Sequence, residues 1–490
     1  GINVTGQINV NGSALSAAPE ITATASGAIA ANKAVIVNSN GTISEVGEST
    51  SPSALTEIDD ALNNTSEHVD PADVVWINDN TFIATWQAWN DSNKAYVIAG
   101  TISGSTITLG TKVKINTNND PTKALQLAVD RTNETFLVVG YVAAGSDRFV
   151  RGGRISSGTT ISMGSSNGIY NPTADSTCVA SDDNGNFMIA CYNSAQGAYK
   201  FENVVVNANN SITVSSQAEF SALYPISNTA QYASISYDKN QGKYFFVGVN
   251  NSNDLKGCWV TSNGSSSAPT VTATNFSIAD SVYPDLSWDS NGSQFILTQQ
   301  KHDGSNWKPY AVVLTPSGTN APSIGTQFLM EDIITSNVKS TYITACKKVA
   351  VIRSGTSSIK IQVLNISGTT LSSYSTTTID NLDRGAVCVH SHETDNRIVS
   401  VFRDDSDTYS ARFQVWDVPA VTTNLTSENF IGFAPSAISN SASGTVAVTG
   451  NTSTQSGLTA GQKYHLQQNG TLSTTSVSTS VEAGIALSST

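Results

Sequence analysis

The sequence predicts an all-β protein, and three observations support this fold class. The chain of 490 residues is rich in Ser, Thr and Asn and poor in Glu and Lys, which favours strands and turns over helices. Hydrophobic residues make up 39% of the chain, so it can bury a core and is not disordered. Short apolar strands separated by turns that contain Gly or Asn recur along its length.

A repeat of about 50 residues organises the central part of the chain. Each unit contains a short apolar strand, a polar turn, a second strand that opens with a large apolar residue, and two further strands. The residues that open the second strands are Phe82, Phe136, Phe187, Tyr244, Phe295, Val349 and Ile398. Seven units of this length are typical of a seven-bladed β-propeller, which we place at residues 71–424.

Four of the first turns carry an aspartate at a similar place. Asp130, Asp182, Asp238 and Asp289 precede the aromatic residue of the second strand by five or six positions. A carboxylate there can accept backbone N–H groups and hold the hairpin, so we interpret these residues as structural. The stretch SWDSNGSQF from Ser287 resembles the Asp box of sialidase-type propellers, with a spacing one residue too long.

The two ends of the chain share a second pattern. Segments that begin at Ser26 and Ser456 both read S-G, a spacer, Lys, an alternating strand, N-G-T and another strand. Asn-Gly between alternating residues is a strong hairpin signal. We therefore predict a small β-barrel or sandwich built from residues 1–50 and 425–490, with the propeller inserted into it.

These ends also resemble a known kind of module. The hairpin from Ser26, together with NFIGFAPSAI from Asn429, GTVAVTG from Gly444 and VEAGIALS from Val481, looks like a recurring β module of bacteriophage virion proteins. Such modules occur in tail fibres and capsid appendages. The resemblance implies placement at the virion surface, attachment to other virion proteins through the end module, and homo-oligomeric assembly, with a trimer expected.

Residues 51–70 are interpreted as a linker. Leu55, Ile58 and Leu62 have helical spacing after Pro52, which predicts a short helix over 53–62 with Ser53 as its N-cap. The seventh blade then lacks a fourth strand. We expect residues 42–47 or 419–426 to supply it.

Composition also bounds the partners. The formal net charge of −13 disfavours nucleic acid and anionic membranes. The longest apolar runs, such as 244–249, are too short to insert across a bilayer. The five cysteines follow no metal-binding spacing and are expected to be buried free thiols, so no cofactor is predicted.

Motifs for catalysis or metal binding are missing from the sequence. His390 and His392 lie on or just after a first strand, as alternate residues on one face, and offer two metal ligands, but a structural or solvated pair is favoured. Asp404, Asp405 and Asp407 have oxygen ligands suited to Ca²⁺ without the spacing of a calcium loop, so a solvated acidic loop is favoured. No catalytic or metal residues are assigned, and we expect a protein that is not an enzyme.

The loops that join second to third strands are the predicted ligand-binding face. Exposed aromatic rings beside Asp, Asn, His and Arg suit sugars, because a ring covers the C–H face while polar groups bind the hydroxyls. The alternative for Trp89 and Trp307 is packing between blades. The candidate residues are Trp89, Asn90, Asp91, Asp147, Arg148, His302, Asp303, Trp307, Asp404, Asp405 and Tyr409.

Three hypotheses about function follow. The first is a phage virion protein, a tail fibre or capsid appendage, that displays a propeller for binding to host-surface glycan. The second is a propeller glycosidase or lyase that acts as a tail depolymerase. The third is a bacterial surface or secreted adhesin.

Overall fold

The computed structural model divides the chain into two units. The end unit comprises Gly1–Ser51 and Val421–Thr490, and the propeller unit comprises Pro52–Ala420. The residues described are 9–10, 13–14, 20–47, 55–63, 69–115, 122–142, 147–165, 167–169, 176–193, 197–220, 233–250, 252–355, 358–380, 387–404, 409–418, 423–448, 453–476 and 480–488. Within these ranges the only helix is the 3₁₀ turn Trp89–Asp91, and no helix is long and apolar enough to cross a membrane.

The strands up to the third blade alternate with short turns. The first six are β1 (Asn9–Val10), β2 (Ser13–Ala14), β3 (Glu20–Thr24), β4 (Ala34–Val37), β5 (Ile43–Glu45) and β6 (Thr56–Asn63). Blade 1 contains β7 (Val69–Asn78), β8 (Thr81–Ala88), β9 (Lys94–Ser103) and β10 (Thr106–Leu109), with β11 (Val113–Lys114) beside β9. Blade 2 contains β12 (Thr122–Asp130), β13 (Thr135–Val142), β14 (Asp147–Ser157) and β15 (Thr160–Met163), with β16 (Asn167–Ile169). Blade 3 contains β17 (Thr177–Ser181), β18 (Phe187–Asn193), β19 (Ala198–Val206) and β20 (Ile212–Val214), with β21 (Ala218–Phe220).

The remaining blades have the same antiparallel order. Blade 4 contains β22 (Ala233–Asp238), β23 (Lys243–Val249), β24 (Leu255–Thr261) and β25 (Thr270–Ile278). Blade 5 contains β26 (Ser281–Asp289), β27 (Gln294–His302), β28 (Trp307–Thr315) and β29 (Ser323–Ile324), with β30 (Phe328–Leu329). Blade 6 contains β31 (Thr335–Ile343), β32 (Lys348–Gly355), β33 (Ile359–Ser367) and β34 (Thr370–Asp380). Blade 7 contains β35 (Val387–Ser391), β36 (Arg397–Asp404) and β37 (Ser410–Asp417), and β6 is its fourth strand.

The blades form a ring. The first strand of each blade contacts the first strand of the next, and β35 contacts β7, so the series closes on itself. The all-β propeller predicted from the repeat is therefore confirmed. The repeat is explained by packing, because the large residue that opens each second strand is buried between blades.

Glycines face some of these aromatic residues across the sheet. Phe82 pairs with Gly100, and Phe136 pairs with Gly153. A Cβ atom on Gly100 would lie 2.3 Å from the Phe82 ring, and one on Gly153 would lie 2.4 Å from the Phe136 ring. Any larger residue would therefore push the aromatic ring out of its place in the core.

The predicted helix over 53–62 is wrong. Residues 56–63 form β6, which pairs antiparallel with β37 from Asp417↔Thr56 to Ala411↔Asn63. Leu55 is buried, and Ile58 and Ala61 pack against the core of blades 1 and 7. A helix would leave the edge of β37 without hydrogen-bond partners, and this cost outweighs the local helical spacing.

The predictions about the linker and the seventh blade change accordingly. The fourth strand of blade 7 comes from Thr56–Asn63, and neither 42–47 nor 419–426 supplies it. Residues 43–45 belong to the end unit as β5, which pairs with β4. A strand from the N-terminal side thus joins the last blade and links the two ends of the ring by hydrogen bonds.

The four turn aspartates hold first hairpins. Asp130 Oδ1 accepts the N–H of Asn133, and the other three accept an N–H two residues along, as Asp182 does from Asn184 at 2.8 Å. Asp289 Oδ1 also accepts the N–H of Gly292 at 2.8 Å. These carboxylates are used inside their turns.

The end unit is a β-sandwich. One sheet has the order β3-β39-β38-β4-β5 and the other has the order β41-β40-β42. Its C-terminal strands are β38 (Phe430–Phe433), β39 (Ser443–Ala447), β40 (Lys463–Leu466), β41 (Leu472–Ser473) and β42 (Val481–Ile485). Ala34 and Ile36 of the first sheet share a core with Leu466 and Leu472 of the second.

Candidate functional site

The rim loops join the second to the third strand of each blade. Because every blade has the same strand order and orientation, these loops lie on one face of the ring. Two of them come together through a side chain that the sequence had not singled out for binding. Arg403 of blade 7 places its Cζ 5.7 Å from the centre of the Trp89 ring and 5.4 Å from the centre of the Tyr409 ring.

Trp89, Arg403 and Tyr409 are called the rim cluster. Trp89 is 50% exposed and Tyr409 is 40% exposed, although both are large aromatic residues. Trp89 lies in the 3₁₀ turn of blade 1, whereas Tyr409 follows β36 of blade 7 with a left-handed φ of 61°. The guanidinium therefore bridges two exposed rings from the first and last blades, which meet where the ring closes.

Two carboxylates next to the rim cluster in sequence, Asp91 and Asp404, form ion pairs with basic side chains. Asp91 accepts hydrogen bonds from Lys94 Nζ at 2.6 Å and from the Tyr96 hydroxyl. The hydrogen bond from Lys94 holds the pKa of the Asp91 carboxyl below its usual range. Asp404 is buried and accepts hydrogen bonds from Arg412, with Nη2 at 2.7 Å. Both carboxylates were predicted as ligand-binding groups, and both are engaged with basic side chains of the protein.

Blade 5 holds a separate group of predicted residues. The His302 and Trp307 rings meet edge to face with centres 5.0 Å apart. Asp303 Oδ1 accepts the N–H of Asn306 at 2.8 Å, and Lys308 pairs with the carboxylate, which lowers the Asp303 pKa. Trp307 packs against the core between blades 4 and 5, as the packing alternative expected.

The other predicted residues add less. Asn90 is exposed in the turn that carries Trp89. Asp147 and Arg148 lie on β14, but their side chains fall outside the described residues, as does the whole of Asp405. Of the three aspartates considered as calcium ligands at 404–407, only Asp404 lies within the described residues. In the described ranges no three His, Cys, Asp or Glu side chains are grouped as a metal site.

His390 lies on β35 and His392 directly follows it, and both take part in structural contacts. Trp76 N–H donates to His390 Nδ1 at 3.4 Å, and burial lowers the pKa of His390 to about 3. His392 Nδ1 accepts the N–H of Asp395 at 3.2 Å, and burial lowers its pKa as well. The five cysteines are buried and none of them is in a disulfide bond.

Sequence reasoning missed a polar channel at the centre of the ring. A cavity of about 370 Å³ is lined by residues from all seven first strands, including Asp73, Asp285 and Lys339. Asp285 Oδ1 lies 3.1 Å from Lys339 Nζ, and its Oδ2 accepts the N–H of Ser340 in the next blade at 2.7 Å. Asp73 accepts the N–H of Leu127 in the same way at 3.0 Å.

The pKa values of Asp73 and Lys339 in this channel are shifted from their ordinary values. Burial raises the pKa of Asp73 to about 6, although Lys339 opposes the shift. Burial opposes the charge of Lys339, but Asp285 and Asp73 together hold its pKa above the ordinary value. The available signal was an Asp three residues before Trp within a first strand, in DVVW from Asp73 and DLSW from Asp285.

A charged network lies where the first hairpins surround the channel. Arg131 Nη1 lies 3.5 Å from Asp183 Oδ2, and Lys239 Nζ lies 3.1 Å from the same oxygen. Glu393 of blade 7 approaches Arg131 at 3.8 Å and Lys239 at 3.9 Å. These pairs balance one another across blades 2, 3, 4 and 7.

The strand order and the closed ring define the class as a β-propeller, and comparison with known proteins assigns no family to the chain. No protein-family model matches the chain, and no curated protein matches it. Among solved structures, the periplasmic gluconolactonase PpgL of Pseudomonas aeruginosa is similar at 10% identity, covering 73% of this chain and 98% of its own, with a TM-score of 0.47. The β-propeller domain of the Trilobed protease from Pyrococcus furiosus has 9% identity, coverages of 72% and 97%, and a TM-score of 0.41. A puromycin-hydrolyzing peptidase of Mycobacterium tuberculosis has 10% identity, coverages of 77% and 55%, and a TM-score of 0.42.

These comparisons correct one expectation. We expected a protein that is not an enzyme, because no catalytic motif is present in the sequence. The similar structures include a gluconolactonase and a peptidase, so that expectation is wrong as it stood. At 9–10% identity the likeness establishes the fold alone.

Proposed function

We propose that the chain is a bacteriophage virion protein, a tail fibre or capsid appendage, that binds a host-surface glycan through the rim cluster. The observation that carries the glycan part is the pair of exposed rings, Trp89 and Tyr409, held on either side of the Arg403 guanidinium. Aromatic faces cover the C–H surface of a pyranose, and a guanidinium donates hydrogen bonds to its hydroxyls.

The net charge of the protein favours neutral ligands over strongly anionic ones. With a formal net charge of −13, the protein repels strongly anionic polymers at long range. Within the rim, Asp91 and Asp404 are already paired with Lys94 and Arg412. A neutral sugar with free hydroxyl groups therefore fits the cluster better than a polyanion.

The virion part of the proposal is supported by the resemblance of the end segments to phage modules. In that arrangement the end unit attaches to other virion proteins, the chain assembles as a homo-oligomer, and the propeller projects from the virion surface. Mass spectrometry of purified virions tests this placement. Finding the protein in virions supports it, whereas finding it only in a cell-envelope fraction would favour a bacterial adhesin.

The glycan part has its own test. The protein is titrated by calorimetry with neutral oligosaccharides released from host capsule and lipopolysaccharide. Saturable binding that changes little with salt is expected, because ring stacking and neutral hydrogen bonds dominate. New reducing ends or unsaturated products during the titration would instead identify a depolymerase.

A further inference from the structure

The end unit contains two copies of one hairpin. The first copy lies at residues 26–45 and the second at residues 456–473. Asn40 Oδ1 accepts the N–H of Thr42 at 3.1 Å, and Asn469 Oδ1 accepts the N–H of Thr471 at 3.1 Å. The glycine between Asn and Thr has a φ of 80° in the first turn (Gly41) and 81° in the second (Gly470). The two turns are thus built alike, as their shared sequence pattern predicts.

Each copy also has a third strand with a glycine at the same place. Gly432 on β38 pairs with Val35 of the first hairpin, and Gly484 on β42 pairs with Tyr464 of the second. Their φ values are 152° and 148°. The following alanines make matching bonds, with Ala434 N–H to the carbonyl of Lys33 at 2.9 Å and Ala486 N–H to that of Gln462 at 3.0 Å.

The connection between hairpin and third strand differs between the copies. In the second copy it is the short segment 474–480. In the first copy the same connection, residues 46–429, contains the whole propeller unit. The propeller therefore occupies a loop of one copy of a duplicated motif.

The copies differ in how the third strand is covered. On the first copy β39 lies directly against Gly432, where a Cβ atom would meet the carbonyl oxygen of Ala447 at 1.9 Å. On the second copy no described residue lies within 4 Å of that position at Gly484. Among the described residues β42 is the outer strand of its sheet, and Ile485 and Leu487 beside it are 58% and 79% exposed.

We propose that the free edge of β42 binds the outer strand β3 of a second copy of this chain. The contact that covers β38 is an established interface within the chain, and β42 presents the same edge without that cover. A strand edge of this kind adds another strand through backbone hydrogen bonds. The proposal rests on the end unit alone and is independent of glycan binding.

The choice of β3 follows from the other edges of the unit. β3 is the outer strand of the five-stranded sheet, and its Ile21 is 41% exposed. Ile43 of β5 forms a parallel bridge to Ala25, the residue that follows β3. Among the described residues, Glu20–Thr24 of β3 have β39 as their only paired strand. Pairing β42 of one copy with β3 of the next is head to tail, so it generates a closed ring of copies if the rotation closes.

Cross-linking of the full-length protein tests this pairing. The double variant Thr22→Cys/Glu482→Cys places exposed thiols on both strands, and the five native thiols are buried. With a short thiol-specific cross-linker, the double variant is expected to give a ladder of covalent oligomers that ends at one ring size. Each single variant should stay at background, and ladders from a single variant would overturn the pairing.

Light scattering on the uncross-linked protein provides a second test. The wild type is expected to be an oligomer and Ile485→Lys a monomer. The matched control Ile324→Lys replaces another exposed isoleucine, 42% exposed on blade 5, and should keep the oligomer mass. Both variants should keep a cooperative unfolding transition, because both side chains are exposed in the single chain. A monomeric wild type, or an oligomeric Ile485→Lys, would overturn the proposal.

Discussion

Replacing Trp89 with alanine should weaken glycan binding about tenfold without destabilising the propeller. A buried aromatic side chain removes about 150–250 Å² from water, so the half-exposed Trp89 leaves on the order of 100 Å² available. One sugar ring covers one face, which is about 50 Å². At about 25 cal/mol per Å² this contact contributes roughly 1.3 kcal/mol, or about a tenfold change in Kd.

The loss of glycan affinity should be smaller when part of the aromatic surface at position 89 is kept. Trp89→Phe keeps a smaller aromatic face over Arg403 and should lose only part of the affinity. Ile324→Ala removes an exposed apolar side chain on blade 5 and should bind like the wild type. Calorimetric titration measures all three variants with the same oligosaccharide.

Thermal unfolding of the Trp89→Ala variant separates a loss of binding from a loss of folding. Because Trp89 is half exposed, its removal should change the free energy of unfolding by less than about 1 kcal/mol, which thermal unfolding measures. An unchanged Kd for a folded Trp89→Ala variant would refute the assignment of the rim cluster as the sugar site.

Three further predictions concern the ring itself. Because the pKa of Asp73 is raised to about 6 in the folded state, the folded state binds more protons than the unfolded chain between about pH 4 and 6. The free energy of unfolding should therefore fall as the pH rises from about 4 to about 6, by less than about 3 kcal/mol. Asp73→Asn should flatten this dependence of the thermal unfolding temperature on pH. An identical dependence in the variant would exclude Asp73 as its source. Gly100→Ala should cost about 1–3 kcal/mol in urea unfolding because its Cβ crowds Phe82. The control Gly47→Ala, in the end unit, has no described residue within 4 Å of the added Cβ and should be neutral; equal effects would contradict the packing account. The five buried thiols should react with a thiol reagent only after denaturation, and fast reaction of the native protein would show that they are accessible.

The parts of the fold predicted from the sequence depend on local patterns. The large apolar residue that opens each second strand, such as Phe82, recurs because each blade buries it, so spacing alone predicts the propeller. The two end hairpins are also local, since the Asn-Gly turn fixes each one within about 20 residues.

The missed features depend on contacts distant in sequence. Thr56–Asn63 has helical spacing, and only the unpaired edge of β37, over 340 residues further on, makes it a strand. Arg403 acquires meaning only when ring closure places it between Trp89 and Tyr409. In the sequence Asp73 and Asp285 look like ordinary polar residues of a strand, and only the ring of first strands places them in a channel.

A structure of the protein with a neutral host-surface oligosaccharide tests the central claim most directly. The account predicts one sugar ring stacked on Trp89 with a hydroxyl within hydrogen-bond distance of the Arg403 guanidinium, on the face of the rim loops. Sugar bound instead in the central channel, against Asp73, Lys339 and Asp285, with the rim cluster vacant, would contradict it.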